Sequence, residues 1–249
     1  MRFKDKVAVI TAAAGAGIGH AIAQLLGEEG ASLVICDVHQ RRTQETVADF
    51  ETRGIKAIGV LCDVSQADQV EAMKEQAMQT FGRIDYLVNN AGREVIAPIA
   101  QYKEEDWDMV LDVCLKGAFL CTRAVLPIMM EQLGGAIVNI SSAACYVGSP
   151  GEAAYCAAKA GVNALTRVTA AEGAPHVRAN AIAPGYVPNP FLNRIYPREV
   201  LDHMAGMSVL KRGAEPREMA EIAAFLLSDA ASFVTGTVTN GTAGMMWTG

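Results

Sequence analysis

Tyr155 and Lys159 stand four residues apart in Tyr155-Cys-Ala-Ala-Lys159. On a helix that spacing puts both on one face, one turn apart. An ammonium beside a phenol favours the phenolate and lowers its pKa. The pair therefore predicts Tyr155 as a general acid/base working near neutral pH. Ser142 lies 13 residues upstream, on a separate segment. Its hydroxyl could hold a substrate oxygen against the phenol. A tyrosine and a lysine one turn apart also occur by chance in many helices, so the weight comes from what surrounds them.

Six apolar runs of strand length recur: Val7 to Thr11, Ser32 to Cys36, Ala57 to Cys62, Ile84 to Val88, Ala136 to Ile140 and Val177 to Ala183. Most are apolar throughout rather than alternating, which predicts strands covered on both faces of a parallel sheet. Helical stretches fill the gaps: about Ile18 to Glu29, Gln44 to Thr52, Ala67 to Phe81, Glu104 to Met130 with a break, Ala153 to Glu172, and Arg217 to Leu227. Gly30 and Gly54 mark helix ends. Strand alternating with helix implies right-handed crossovers and one α/β domain, a doubly wound parallel sheet of about seven strands with helices on both faces. The proline-rich stretch from Pro184 to Arg212 follows a strand, and residues 186–212 are expected to form a substrate lid beyond the sheet edge.

The chain of 249 residues is about half hydrophobic and carries a formal net charge of -6. It has no block of like charges, and Arg41-Arg42 reads as a solvated helix start. A nucleic-acid partner would need a basic stripe. No apolar run reaches about 18 residues, so no membrane-spanning helix is expected. The N-terminus lacks a signal-peptide pattern, and the six cysteines lack a Cys-x-x-Cys pair. Reduced thiols in a cytoplasmic protein are expected. The four scattered histidines give no metal-ligand spacing.

The first strand runs into Thr11-Ala-Ala-Ala-Gly15-Ala-Gly17-Ile18-Gly19, and a helix follows. Glycines allow a tight turn and close approach of the backbone to phosphate. The helix start offers free N–H groups to a pyrophosphate. Asp37 ends the second strand, where a carboxylate can bond the ribose hydroxyls of a dinucleotide and repel a 2′-phosphate. These features predict NAD(H) over NADP(H), with His39, Arg41 and Arg42 close enough to weigh against it.

With Asp63-Val64 after the third strand, Asn89-Asn90-Ala91-Gly92 after the fourth, Ile140-Ser141-Ser142, Tyr155-x-x-x-Lys159 and Pro184-Gly185, nearly the whole chain resembles the short-chain dehydrogenase/reductase family. The resemblance implies a Rossmann fold and a set of roles. Asp63 and Val64 would meet the adenine, and Asn90 the adenosine side of the cofactor. Tyr155 would exchange the proton, and Lys159 would bind the nicotinamide ribose and depress the Tyr155 pKa. Ser142 would orient the substrate oxygen. The backbone at Gly185 and Val187 would touch the nicotinamide, and Asn189 the carboxamide. A homotetramer packed through the long helices is also implied.

Some positions depart from the family pattern. Ala12-Ala13 replaces the usual Thr-Gly, and Thr11 is a candidate substitute for that threonine. Cys114 stands where the family has a catalytic Asn that helps kink a helix. A cysteine keeps the main-chain carbonyl and loses the amide's strong donor and acceptor. The usual Asp-Gly-Gly is missing from the tail, Thr235 to Gly244.

The expected reaction is hydride transfer between nicotinamide and a secondary alcohol or ketone. Candidate lining residues are Arg93, Glu94, Ala144, Tyr146, Glu152, Tyr186, Phe191 and Tyr196. Glu94 and Glu152 tilt toward a polyol or another hydroxylated substrate. A 3-oxoacyl-thioester reductase is the alternative within the family, and a non-catalytic NAD-binding sensor or scaffold the alternative outside it.

Overall fold

The computed structural model describes residues 1–190 and 192–246. Seven strands form one parallel sheet in the order β3-β2-β1-β4-β5-β6-β7. They are β1 (Val7–Thr11), β2 (Ser32–Asp37), β3 (Ala57–Leu61), β4 (Tyr86–Asn89), β5 (Gly135–Ile140), β6 (Val177–Pro184) and β7 (Val238–Gly241). The first six lie where the apolar runs predict them, shifted by one or two residues at some ends. The seventh had no such run to announce it, because Val-Thr-Asn-Gly is only half-buried.

Alternate residues of β1 enter opposite cores. Ala8 and Ile10 face α1 (Ile18–Glu28), the end of α2 (Gln40–Thr52) and α9 (Pro216–Leu227). Val7 and Val9 face α3 (Ala67–Phe81), α5 (Gly117–Glu131) and part of α6 (Ala153–Gly173). With both faces covered, every position of the strand is buried, which explains the unbroken apolar runs. Truncating a fully buried side chain such as Ile10 or Leu87 would cost about 2–5 kcal/mol.

The predicted break in the long helix is a single π-turn. Between α4 (Glu104–Leu111) and α5, residues Asp112–Lys116 widen, and Gly117 N–H bonds Asp112 five residues back. Cys114 sits at its middle. The stretch Glu104–Glu131 is long and apolar enough to cross a membrane by length and composition. Here Leu120, Cys121, Val125 and Met129 are buried in the core instead.

The stretch after β6 is more regular than the prolines implied. It holds two short helices, α7 (Leu192–Ile195) and α8 (Arg198–Met207). The ends of β1, β2, β4, β5 and β6 open toward one edge of the sheet. The order of strands reverses between β1 and β4, where such sheets bind ligands.

Candidate active site

The glycine turn leaves β1 under backbone constraint. Gly15 and Gly17 have φ of 95° and 112°, in the region only glycine enters easily. Gly17 then starts α1 with no side-chain cap and no acidic residue in the first turn. That leaves a helix N-terminus with its positive end facing outward. Ile18, half-buried, packs against the core as the helix begins. A Cβ on Gly19 would lie 2.4 Å from Asn90 Nδ2 and 2.9 Å from the Ala12 carbonyl oxygen. Gly19 is therefore glycine because the β4 exit presses on it.

Thr11 and Asn90 make that contact. The Thr11 hydroxyl accepts the N–H groups of Asn90 and Ala91 at 2.9 and 3.0 Å. Asn90 Nδ2 donates to the Thr11 and Ala12 carbonyls at 3.0 and 3.1 Å. Thr11 thus joins the exits of β1 and β4.

Asp37 is 7% exposed at the end of β2. Its carboxylate accepts the Ala14 N–H at 3.3 Å and the His39 N–H at 3.0 Å. Arg42 departs from its expected role as a solvated residue, since its guanidinium stands 3.9 Å from Asp37 and its stem lies under Gly15. Burial pushes the Asp37 pKa up, and Arg42 and the N–H groups of Ala14 and Val38 pull it down. The donors around Asp37 and the uncapped helix start fit the ribose and the pyrophosphate of a dinucleotide.

At the next strand exit the Asp63 carboxylate folds back on Ser65, accepting its N–H and hydroxyl at 3.0 and 2.7 Å. Val64 is buried against Gly117 of α5, where a Cβ would meet it at 2.6 Å.

α6 carries Tyr155 and Lys159, and a buried polar chain fixes it against the sheet. Asn89 Nδ2 donates to Asn139 at 2.8 Å, Asn139 Nδ2 to Thr166 at 2.8 Å, and Thr166 to the Val162 carbonyl. Asn139 is a lone polar residue inside the apolar run Ala136 to Ile140, and that interruption was the signal for this buried chain. Lys159 is 3% exposed and donates to the Ile140 carbonyl at 2.7 Å. Its Nζ lies 5.5 Å from the centre of the Tyr155 ring. Ser142 opens a short 3-10 turn and accepts the Ala144 N–H at 3.2 Å. It also hydrogen-bonds the Tyr155 phenol.

The electrostatics differ from the expected depression of Tyr155. Burial pushes the phenol well up, and the neighbouring Cys114, Glu94 and Glu152 push the same way. The bond to Ser142 alone pulls it down. Lys159 is no counterweight here: its ammonium turns to Ile140, and its own burial lowers its pKa.

Cys114 is 2% exposed, and its Sγ lies 3.2 Å from both the N–H and the carbonyl of Arg93. Two residues past Arg93, the Val95 carbonyl accepts the Tyr102 hydroxyl at 2.8 Å. Pinned on both sides, Glu94 reaches Tyr196, as does Glu152. Ala144 is buried, whereas Tyr146 is largely exposed. Phe191 lies outside the described residues.

Beyond β6, Gly185 packs on β7's exit, where a Cβ would meet Thr242 Cα at 3.1 Å. Its lack of a side chain has this internal cause besides any approaching ring. Val187 is buried, and Asn189 Oδ1 accepts the Leu192 N–H at 3.0 Å at the start of α7.

A family model described as "Enoyl-(Acyl carrier protein) reductase" matches residues 12–246. The chain is 42% identical over 238 residues to the cis-4-hydroxycyclohexanecarboxylate dehydrogenase of Sinomonas cyclohexanicum, covering 95% of this chain and 94% of that one. It is 39% identical over 239 residues to the 3-oxoacyl-[acyl-carrier-protein] reductase FabG of Thermotoga maritima, covering 96% of each. An NAD+-bound xylitol dehydrogenase structure aligns with a TM-score of 0.93 at 33% identity, over 98% of this chain and 100% of that one. With this fold and these relatives, the chain belongs to the short-chain dehydrogenase/reductase family, oxidoreductases that use a nicotinamide cofactor on alcohol and carbonyl groups.

Proposed function

We propose that this chain moves hydride between NAD(H) and the carbinol carbon of a neutral secondary alcohol or its ketone, a polyol or a cyclic alcohol. The observation that carries the reading is the meeting of Ser142, Tyr155 and Lys159 at the exits of β4 and β5, beside the glycine turn. Nicotinamide, when bound, supplies the hydride acceptor or donor.

The residues do the rest. Ser142 Oγ is held by the Ala144 N–H, and its one proton, given to the Tyr155 phenol in this structure, turns to the substrate oxygen when substrate is bound. Such a donor, fixed before reaction, stabilises negative charge growing on that oxygen. Tyr155 takes the hydroxyl proton in oxidation and returns it in reduction. Lys159 holds the nicotinamide ribose from the α6 side, and Asp37 holds the adenosine ribose. The Asp37 carboxylate supports NAD(H) over NADP(H), and the NAD+-bound structural neighbour is in keeping with that choice.

Glu94 and Glu152 support a hydroxylated substrate, because carboxyl oxygens accept hydrogen bonds from hydroxyl groups. A 3-oxoacyl thioester is the second reading, favoured by the similarity to a 3-oxoacyl reductase. One panel separates them: NADH fluorescence followed with polyols, cyclic alcohols, their ketones and a 3-oxoacyl thioester. Turnover is expected with a neutral alcohol or ketone; turnover confined to the thioester, or none at all, would overturn the proposal.

A further inference from the structure

Tyr196 sits between α7 and α8, in the segment that follows β6, yet its hydroxyl ends on the opposite wall of the site. It lies 3.1 Å from Glu94 Oε1 and 2.9 Å from Glu152 Oε1. The two acids come from separate loops that are themselves joined, with the Ala97 N–H donating to the Gly151 carbonyl at 3.1 Å. Gly151 has φ of 89°, and a Cβ there would strike Ile96 at 2.8 Å. The meeting of the three groups is therefore built into the backbone.

A phenol has one proton and can donate it to one carboxylate. The other oxygen contact is a hydrogen bond only if that carboxyl carries a proton of its own and donates it to the phenol oxygen. With both carboxyls ionised, one contact sets lone pairs against each other beside a second negative charge. Two bonds thus require two protons among three groups.

We propose that Tyr196, Glu94 and Glu152 form a latch that fastens residues 192–207 across the site and closes only by taking up one proton. Glu94 is the carboxyl that holds it. Burial and the neighbouring Glu152 push Glu94 up to about 7, against the bond to Tyr196 and the charge of Lys159. The other groups facing it are Tyr155 and Cys156 on α6 and Tyr102 ahead of α4. Between the ordinary glutamate value of 4.5, which a released Glu94 regains, and about 7, the shut latch holds a proton that the open one lacks, so rising pH drains stability from the shut form. Above about 7 the proton has left both forms, one bond is lost and the carboxylates repel, so the segment is released. Tyr196 is a positioning residue: its release raises KM for the alcohol or ketone.

Hydrogen exchange of peptides within residues 192–207, corrected for intrinsic exchange rates, tests this on the full chain with NADH and needs no turnover. One linked proton can lower protection by at most about tenfold per pH unit. Wild-type protection should fall in this way between about pH 4.5 and about 7, and level off above. In Glu94→Gln the amide donates to Tyr196 at any pH, so protection should be high and flat. In Tyr196→Phe it should be low and flat, with circular dichroism confirming the fold. Flat wild-type protection, or an unchanged pH dependence in Glu94→Gln, would overturn the latch, and Glu94→Gln decides alone if Tyr196→Phe does not fold.

Discussion

In the proposed reaction Tyr155 carries the chemistry, and its surroundings set the direction in which that chemistry is easy. Its phenol is pushed up by burial, so it is protonated at neutral pH and ready to give its proton in reduction. Oxidation needs the phenolate, whose share grows about tenfold per pH unit below the pKa. We predict that kcat for alcohol oxidation climbs with pH from neutral into the alkaline range while kcat for ketone reduction does not; pH profiles in both directions check this. Cys114 makes one weak sulfur clamp on each side of Arg93. An Asn amide has a stronger donor and acceptor for those two groups. Cys114→Asn should raise kcat by a factor of about 3, roughly 0.7 kcal/mol of barrier; an unchanged kcat would show that the side chain is irrelevant. Asp37→Ser should free Arg42 and shift the NADPH/NADH ratio of Kd toward NADPH by about tenfold, equivalent to about 1.4 kcal/mol. Paired fluorescence titrations give that ratio. Ser142, Tyr155 and Asp37 were legible because their motifs are local. That Arg42 comes near Asp37 was expected too, but the 3.9 Å contact itself depends on where α2 begins.

That start illustrates what is hidden at the scale of elements. α2 begins at Gln40, four residues before the expected Gln44, because its first turn is polar and gives no apolar period to read. Yet its body supplies Thr46, which accepts the Gly15 N–H at 3.1 Å and so steadies the glycine turn. β7 was hidden for the same reason: its four residues are half-buried and lack an apolar run. The helix break was legible as a break, but its π geometry needs the hydrogen-bond pattern. The join between β1, α1 and β4 carries its own prediction. Gly19→Ala would drive a methyl into Asn90 and the Ala12 carbonyl and cost the Asn90 bonds. We expect a loss of about 1–3 kcal/mol together with a higher Kd for NADH, measured by denaturant unfolding and by titration. Unchanged stability and Kd would mean that the β4 exit yields freely.

Across the whole molecule the sheet was the most legible feature, since burying both faces of β1, β2, β4, β5 and β6 leaves apolar runs. How separate loops meet over the sheet edge was not legible: Glu94, Glu152 and Tyr196 are 58 and 44 residues apart in sequence. The family resemblance also predicts a homotetramer. α5 and α6 leave Phe119 and Val168 exposed at 44% and 52%. Light scattering should give four chain masses in solution; a single chain mass would refute the assembly. The account as a whole is tested most directly by Tyr155→Phe, which removes one hydroxyl and keeps the ring. Losing a positioned acid/base costs about 10²–10⁴ in rate. With the alcohol or ketone that the wild type turns over, the variant should lose turnover on that scale while its Kd for NADH stays unchanged. Near wild-type turnover in Tyr155→Phe would contradict the central claim.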